Sequence, residues 1–222
     1  MFDRVASNYD ALNSVMTAGL HHGWRQRAAA KAELSPGDAA LDICCGTGDF
    51  ALELAQLVTP GGHVVGCDFS EPMLDLAREK AATHRAEGVR FEWADALALP
   101  YDGERFDAVT VGFGVRNLAD LDRGLREMAR VLKPGGRAVI LEITTPTRPP
   151  LSTFYSLWFD RVVPLLGTFS SEPEAYSYLP ESVRSFPSPL GLAEKMDAAG
   201  FKRVRYTVLA GGIIAIHSGI RG

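Results

Sequence analysis

Apolar residues fall into two rhythms along this chain. Short, near-continuous apolar runs at 39–44, 63–67, 89–94, 106–113 and 138–143 read as buried strands. Between them, 50–58, 71–87 and 121–132 place apolar positions three and four residues apart and read as helices. Turn chemistry separates the two kinds. Gly46-Thr47-Gly48 follows the first strand, Pro60-Gly61-Gly62 and Gly88 end two helices, and Lys133-Pro134-Gly135-Gly136 ends the third. Strands apolar on both faces, alternating with helices, predict an α/β fold: a mostly parallel sheet with helices on both faces.

Two helical patterns precede this unit. Phe2, Val5, Ala6, Tyr9 and Leu12 form one stripe, and about Leu20 to Leu34 forms another, stopped by Ser35-Pro36-Gly37-Asp38. After Ile143 the rhythm breaks. Residues 144–187 are rich in proline, serine and aromatics, and 151–166 form an aromatic-aliphatic stretch. A helix from Ser188 or Pro189 to Ala199-Gly200 follows. Then Val204–Leu209 and Ile213–His217 flank Gly211-Gly212, which predicts a C-terminal antiparallel hairpin and a total of seven strands. The expected organisation is one domain over 1–222, with 1–34 as a helical lid and 144–187 as a substrate-side insertion.

Composition narrows the partners. A length of 222 residues suits one core, and the net charge of -4 argues against nucleic acid. The three cysteines, Cys44, Cys45 and Cys67, are odd in number and never spaced C-x-x-C, so no disulfide framework and no metal site is expected. Met1-Phe2-Asp3-Arg4 lacks a signal-peptide layout, and no run of about 18 apolar residues exists to span a bilayer. The expected location is a reducing cytoplasm, with peripheral membrane contact at its inner face and homodimer formation left open.

Candidate chemistry centres on the glycine loop. Glycines suit a sharp strand-to-helix turn that a ligand approaches closely, and Gly46-x-Gly48-x-x-Ala51 fits a nucleotide fingerprint. Asp68, about 20 residues on, ends the next strand, where a carboxylate can accept two ribose hydroxyls. A dinucleotide would set its pyrophosphate on the helix N-terminus, close to Asp49. Asp42 and Asp49 around the loop instead suit the cationic sulfonium and ammonium of S-adenosylmethionine (SAM), and Asp95-Ala96 could receive an adenine amino group. The plainer reading of Asp42 and Asp49 is a strand-end charge and a helix cap.

Leu41-Asp42-x-x-x-Gly46-Thr47-Gly48, then Asp68, Ser70 and Met73-Leu74, with Phe106-Asp107-Ala108-Val109 and Val131-Leu132-Lys133-Pro134-Gly135-Gly136, resembles the Rossmann-like class I SAM methyltransferases. More specific blocks span the chain: Met1-Phe2-Asp3-Arg4-Val5-Ala6 with Tyr9-Asp10 and Asn13; Gly19, His22 and Trp24-Arg25; Phe113-Gly114-Val115-Arg116-Asn117; Tyr176-x-Tyr178-Leu179-x-Glu181-Ser182; and Ala215-Ile216-His217-x-Gly219. Together they resemble the menaquinone/ubiquinone biosynthesis C-methyltransferases. Cys44-Cys45 stand where that family commonly has alanine-glycine, and Gly112 where relatives often have serine. The short N-terminus is nearer the menaquinone-only members than the dual-specificity ones.

The resemblance implies SAM-dependent methylation of the ring carbon of demethylmenaquinol, a polyprenylated quinol. The implied cofactor-binding residues are Asp42, Gly46, Thr47, Gly48, Asp68, Phe69, Met73, Asp95, Ala96 and Gly112. A quinol carbon becomes nucleophilic when its neighbouring phenol loses a proton. Arg116, always protonated, is the candidate to stabilise that phenolate, with Asn117 orienting it or a water; a surface pair with Asp120 or Asp122 is the plainer reading of Arg116. His22 and Tyr9, in the N-terminal helices, are candidate bases, with His21, Asp10, Tyr178 and His217 behind them and an activated water as the alternative. The 151–166 stretch would meet the lipid tail, form core or pair with another copy. A ubiquinone-pathway enzyme, an O- or N-methyltransferase, a nicotinamide-dependent reductase and a non-catalytic SAM-binding protein remain as alternatives. Asp49 and the missing Tyr-x-x-x-Lys pair speak against the reductase.

Overall fold

In the computed structural model, residue 17 and residues 19–146, 149, 152–153 and 180–222 are described. Tyr9, Asp10, the 151–166 stretch apart from Ser152 and Thr153, and Tyr178 lie outside the described residues.

Helix α1 (Leu20–Lys31) precedes the series β1 (Ala39–Ile43), α2 (Asp49–Val58), β2 (His63–Asp68), α3 (Glu71–His84), β3 (Val89–Trp93), β4 (Phe106–Gly112), α4 (Leu121–Val131) and β5 (Leu132–Ile143). Helix α5 (Pro189–Ala198) leads into β6 (Phe201–Leu209) and β7 (Ile214–Arg221). The sheet has seven strands in the order β3-β2-β1-β4-β5-β7-β6. The first five strands pair in parallel, and β7 pairs antiparallel with both β5 and β6. A parallel β6–β7 pair would need a long crossover, whereas the three-residue turn Ala210–Gly212 allows only a hairpin.

β1 is buried at every position, as a central strand covered on both faces must be. One core layer joins Leu41, Val109, Leu125, Met128, Ile140 and Phe201; the other joins Ala40, Phe50, Leu54, Val64, Leu74 and Val139. The second layer includes Ala28, Ala29 and Ala32, so α1 docks its small residues beside α2.

Several element bounds differ from the sequence pattern: the helix read to Leu34 ends at Lys31, the strand read to His217 runs on to Arg221, and three others have a visible cause. β5 starts at Leu132, not after the glycine pair, because Leu132 pairs with Phe106 and the register then shifts before Ala108, absorbing the excursion through Gly135 (φ 80°). α3 stops at His84, where Arg85 turns left-handed (φ 50°). β6 begins at Phe201, three residues earlier than the apolar run, since Phe201 pairs with Arg221 ahead of a second register shift.

Candidate active site

The sheet order reverses between β1 and β4, and a crevice opens at the carboxyl ends of strands on either side of such a switch point. A cleft of about 200 Å³ lies there. The loop after β1 contributes Cys44 and Gly46; the end of β2 and the residue after it contribute Asp68 and Phe69; α3 contributes Met73; the segment after β3 contributes Asp95 and Ala96; and the end of β4 with the segment after it contributes Gly112, Phe113, Gly114 and Asn117.

The loop conformation follows from its residues. Gly46 and Gly48 both adopt positive φ, 53° and 83°. A Cβ on Gly46 would meet nothing within 4 Å, so this glycine serves the backbone turn and leaves its face open. Gly48 is different: a Cβ there would lie 2.7 Å from the Phe91 ring, so it lets α2 pack closely on the sheet. Asp68 fixes the loop from below. Its Oδ2 accepts from the Gly46 amide at 2.9 Å and its Oδ1 from the Ser70 amide at 3.0 Å. A carboxylate held by two backbone amides is fixed in place on the cleft wall.

The electrostatics of the cleft are acidic. Burial drives the Cys44 thiol well above the usual thiol range, and the carboxylates of Asp68, Asp42, Glu142 and Asp95 push it the same way. Of these, only Asp68 and Asp95 line the cleft; Asp42 lies under the loop, and Glu142 is paired with Arg116. Asp42 is fully buried under that loop and accepts from the Thr110 hydroxyl at 2.6 Å. Burial raises its pKa to about 7, against the opposing pull of Thr110, the Ala51 amide and Arg25. The two carboxylates on the cleft wall, Asp68 and Asp95, favour a cationic ligand there.

The expected site residues sort into three groups. Gly46, Asp68, Phe69, Met73, Asp95, Ala96, Gly112 and Asn117 line one cleft. Asp42, Thr47 and Gly48 support it without lining it, and Thr47 accepts from Lys80 Nζ at 3.1 Å. His22 and Arg116 are not among the lining residues. His22 is exposed, and its Nδ1 lies 3.3 Å from Arg25 Nη2, while the buried His21 meets Thr17 Oγ1 at 2.7 Å. His217 is buried in β7 against the Pro189 carbonyl.

Two electrostatic expectations change. Asp49 is no open negative charge on the helix end: Arg25 Nη2 takes its Oδ2 at 2.7 Å and Lys80 Nζ its Oδ1 at 2.5 Å. Burial raises the Asp49 pKa, but the two cations outweigh it and hold the carboxyl below the usual range. Arg116 pairs with neither Asp120 nor Asp122; its Nη1 donates to Glu142 Oε1 at 2.7 Å. Asp120 caps α4 through the Arg123 amide, and Asp122 pairs with Lys195. Cys44, marked in the sequence only as a departure from the family pattern, and Phe113 also line the cleft, and Glu142, which sequence reasoning missed, pairs with Arg116 behind the wall. For Glu142 the signal was present, as an acidic residue inside an apolar strand.

The profile of the ubiE/COQ5 methyltransferase family matches residues 1–221. The demethylmenaquinone methyltransferase of Thermus thermophilus is 48% identical to this chain, with 100% of each covered. That of Deinococcus radiodurans is 47% identical over 99% of this chain and 90% of its own length. Among solved structures, a SAM-dependent methyltransferase from Aquifex aeolicus superposes with a TM-score of 0.67 at 19% identity, covering 89% of each chain, a likeness of fold.

Proposed function

The chain belongs to the ubiE/COQ5 methyltransferase family, which makes it a SAM-dependent methyltransferase, and from that membership we propose that it methylates a ring carbon of demethylmenaquinol to give menaquinol and S-adenosylhomocysteine. The observation that carries this reading is the cleft at the switch point, where the Asp68 carboxylate holds the open-faced Gly46 turn and Asp95 stands beyond the next strand.

When bound, SAM supplies an electrophilic methyl group on a cationic sulfur. Asp68 would hold the ribose hydroxyls, Asp95 the adenine amino group, and Phe69, Met73 and Ala96 the apolar faces of the base. Asp42, Thr47 and Gly48 would shape the loop that holds the cationic end, and Gly112 makes room for Phe50, whose ring a Cβ there would approach to 2.9 Å. Nothing in methyl transfer requires the protein to supply a nucleophile. The chain must hold the acceptor carbon in line with the methyl group and favour the phenolate that activates that carbon. Asn117, which lines the cleft, would meet the quinol oxygen, with Arg116 behind it. The phenolic proton leaves to water, or to His22 or Tyr9 if the N-terminal region closes over the acceptor. No helix among the described residues is long and apolar enough to cross a membrane. A polyprenyl tail would therefore meet the chain at the bilayer surface, and 151–166 is the stretch proposed for it.

Incubation with methyl-labelled SAM and demethylmenaquinol under reducing conditions tests the reading. One labelled methyl on the quinol ring, with an equal yield of S-adenosylhomocysteine, is expected. Protein that binds SAM yet labels only hydroxyl or amine acceptors would overturn it.

A further inference from the structure

We infer that Glu142 is a positioning residue for methyl transfer: through Arg116 its buried carboxylate holds the Phe113 carbonyl, and with it the cleft wall that carries Asn117. This rests on the methyl-transfer reading above.

Glu142 sits in β5 directly after the apolar run Ala138–Leu141 and is 1% exposed. Its Oε1 accepts from Arg116 Nη1 at 2.7 Å and from the Ile143 amide at 2.8 Å, and its Oε2 from the Arg116 amide at 3.3 Å. The same Arg116 Nη1 donates to the Phe113 carbonyl at 2.5 Å, while the Phe113 amide donates to Leu141 at 2.7 Å. The turn Val115–Asn117 is thus fastened to β5 through side chain and backbone together.

What is fastened is a strained piece of wall. Phe113 holds φ 61°, rare for a bulky side chain, and Cys44 across from it holds φ 54°. Gly114 lies between them, where a Cβ would come within 2.4 Å of Cys44 Cβ. Two left-handed non-glycine residues therefore line the cleft from opposite sides of the switch point, with Gly114 packed close on Cys44. Such conformations persist where the surroundings over-determine them, and they cluster at ligand sites.

Packing does not require the ion pair. The side chains of Arg116 and Glu142 are 9% and 2% exposed, and two apolar side chains could fill that space without desolvating charge. An apolar pair could not hold a carbonyl in place. Asn117 follows one residue later, and a small displacement of such a wall is enough to cost roughly a hundredfold in rate.

Three variants test this. Glu142→Gln keeps the shape and removes the charge. Turnover number should fall roughly tenfold or more, while the SAM dissociation constant stays within about threefold. Glu142→Asp, which keeps the charge, should recover part of the loss. Arg116→Leu with Glu142→Leu removes both charges of the pair at once, so neither Arg116 nor Glu142 is left buried without the other if a single variant loses the fold. Independently of turnover, ¹⁵N spectra of the folded variants should show the Phe113 backbone and Asn117 side-chain amides displaced, with Asp68 unmoved. Turnover within twofold of the parent, unmoved Phe113 and Asn117 signals, or a rate loss matched by an equal loss of SAM affinity would overturn the inference. A parent that never methylates the quinol sinks the functional reading instead, and the amide signals alone then decide the role of Glu142.

Discussion

At the residue scale, the least comfortable group is Asp42, a carboxylate with no exposure at all, on the central strand. Burial is the largest influence on it and raises its pKa from 3.8 to about 7. Between those two values the folded chain keeps a proton that the unfolded chain has lost. The contribution of Asp42 to stability therefore falls as pH rises from about 4 to about 7 and stays low above that. Asp107 and Glu127 lie below their usual values and act in the opposite sense, losing stability as pH falls. A comparison with Asp42→Asn isolates the one group. At about 1.4 kcal/mol per pH unit, the variant should exceed the parent at pH 8 by up to roughly 4 kcal/mol. The gap should close below pH 4. Urea unfolding at both pH values, without SAM, measures it, and a variant that tracks the parent throughout would show that Asp42 carries no such penalty.

At the scale of elements, α1 is tied to the cofactor loop by charge as well as by its alanines. Arg25 on α1 and Lys80 on α3 converge on Asp49, the first residue of α2, so three helices share one carboxylate. Arg25 is nearly buried and Asp49 about a quarter exposed, so breaking the pair leaves a cation with little water. Asp49→Asn should loosen α1 locally by about 1–3 kcal/mol, below the cost of breaking a fully buried pair. Amide hydrogen exchange should quicken across 21–31 and remain unchanged in β5; protection that is equal in parent and variant would count against the tie. This network also marks where the sequence ceases to be legible. The alternation of apolar runs gave the strands, the helices and the glycine loop, because a parallel strand covered on both faces must be apolar throughout. It could not give the partners of Asp49, which lie 24 residues before it and 31 after it, a separation no periodicity encodes. Arg116 makes the same point: local spacing favoured Asp120 or Asp122, yet the partner came from β5, 26 residues away.

At the scale of the whole molecule, the cleft exists because two halves of one sheet run apart at the β1–β4 boundary. Asp68, Phe69, Met73 and Asp95 come from one half and Gly112 and Asn117 from the other. Which residues converge was partly readable in advance, since strand ends in this topology must meet at the switch point. The wall between them was not, because the left-handed turns at Cys44 and Phe113 carry no glycine to announce them. A ligand that touches both halves exists only on the folded chain, so it must stabilise that chain by mass action. At a hundred times its dissociation constant, SAM should contribute about 2.7 kcal/mol. For a chain of this length that raises Tm by about 5–10 °C. Asp68→Ala removes the acceptor of the Gly46 and Ser70 amides, so it should lower Tm without ligand and lose most of the SAM-dependent rise. NADH should give no rise, because its pyrophosphate would face the carboxylates that a sulfonium and an ammonium favour. Scanning calorimetry of parent and variant with each ligand decides the matter. Equal stabilisation by NADH, or a full SAM response in the variant, would mean that the acidic loop is not what holds the donor.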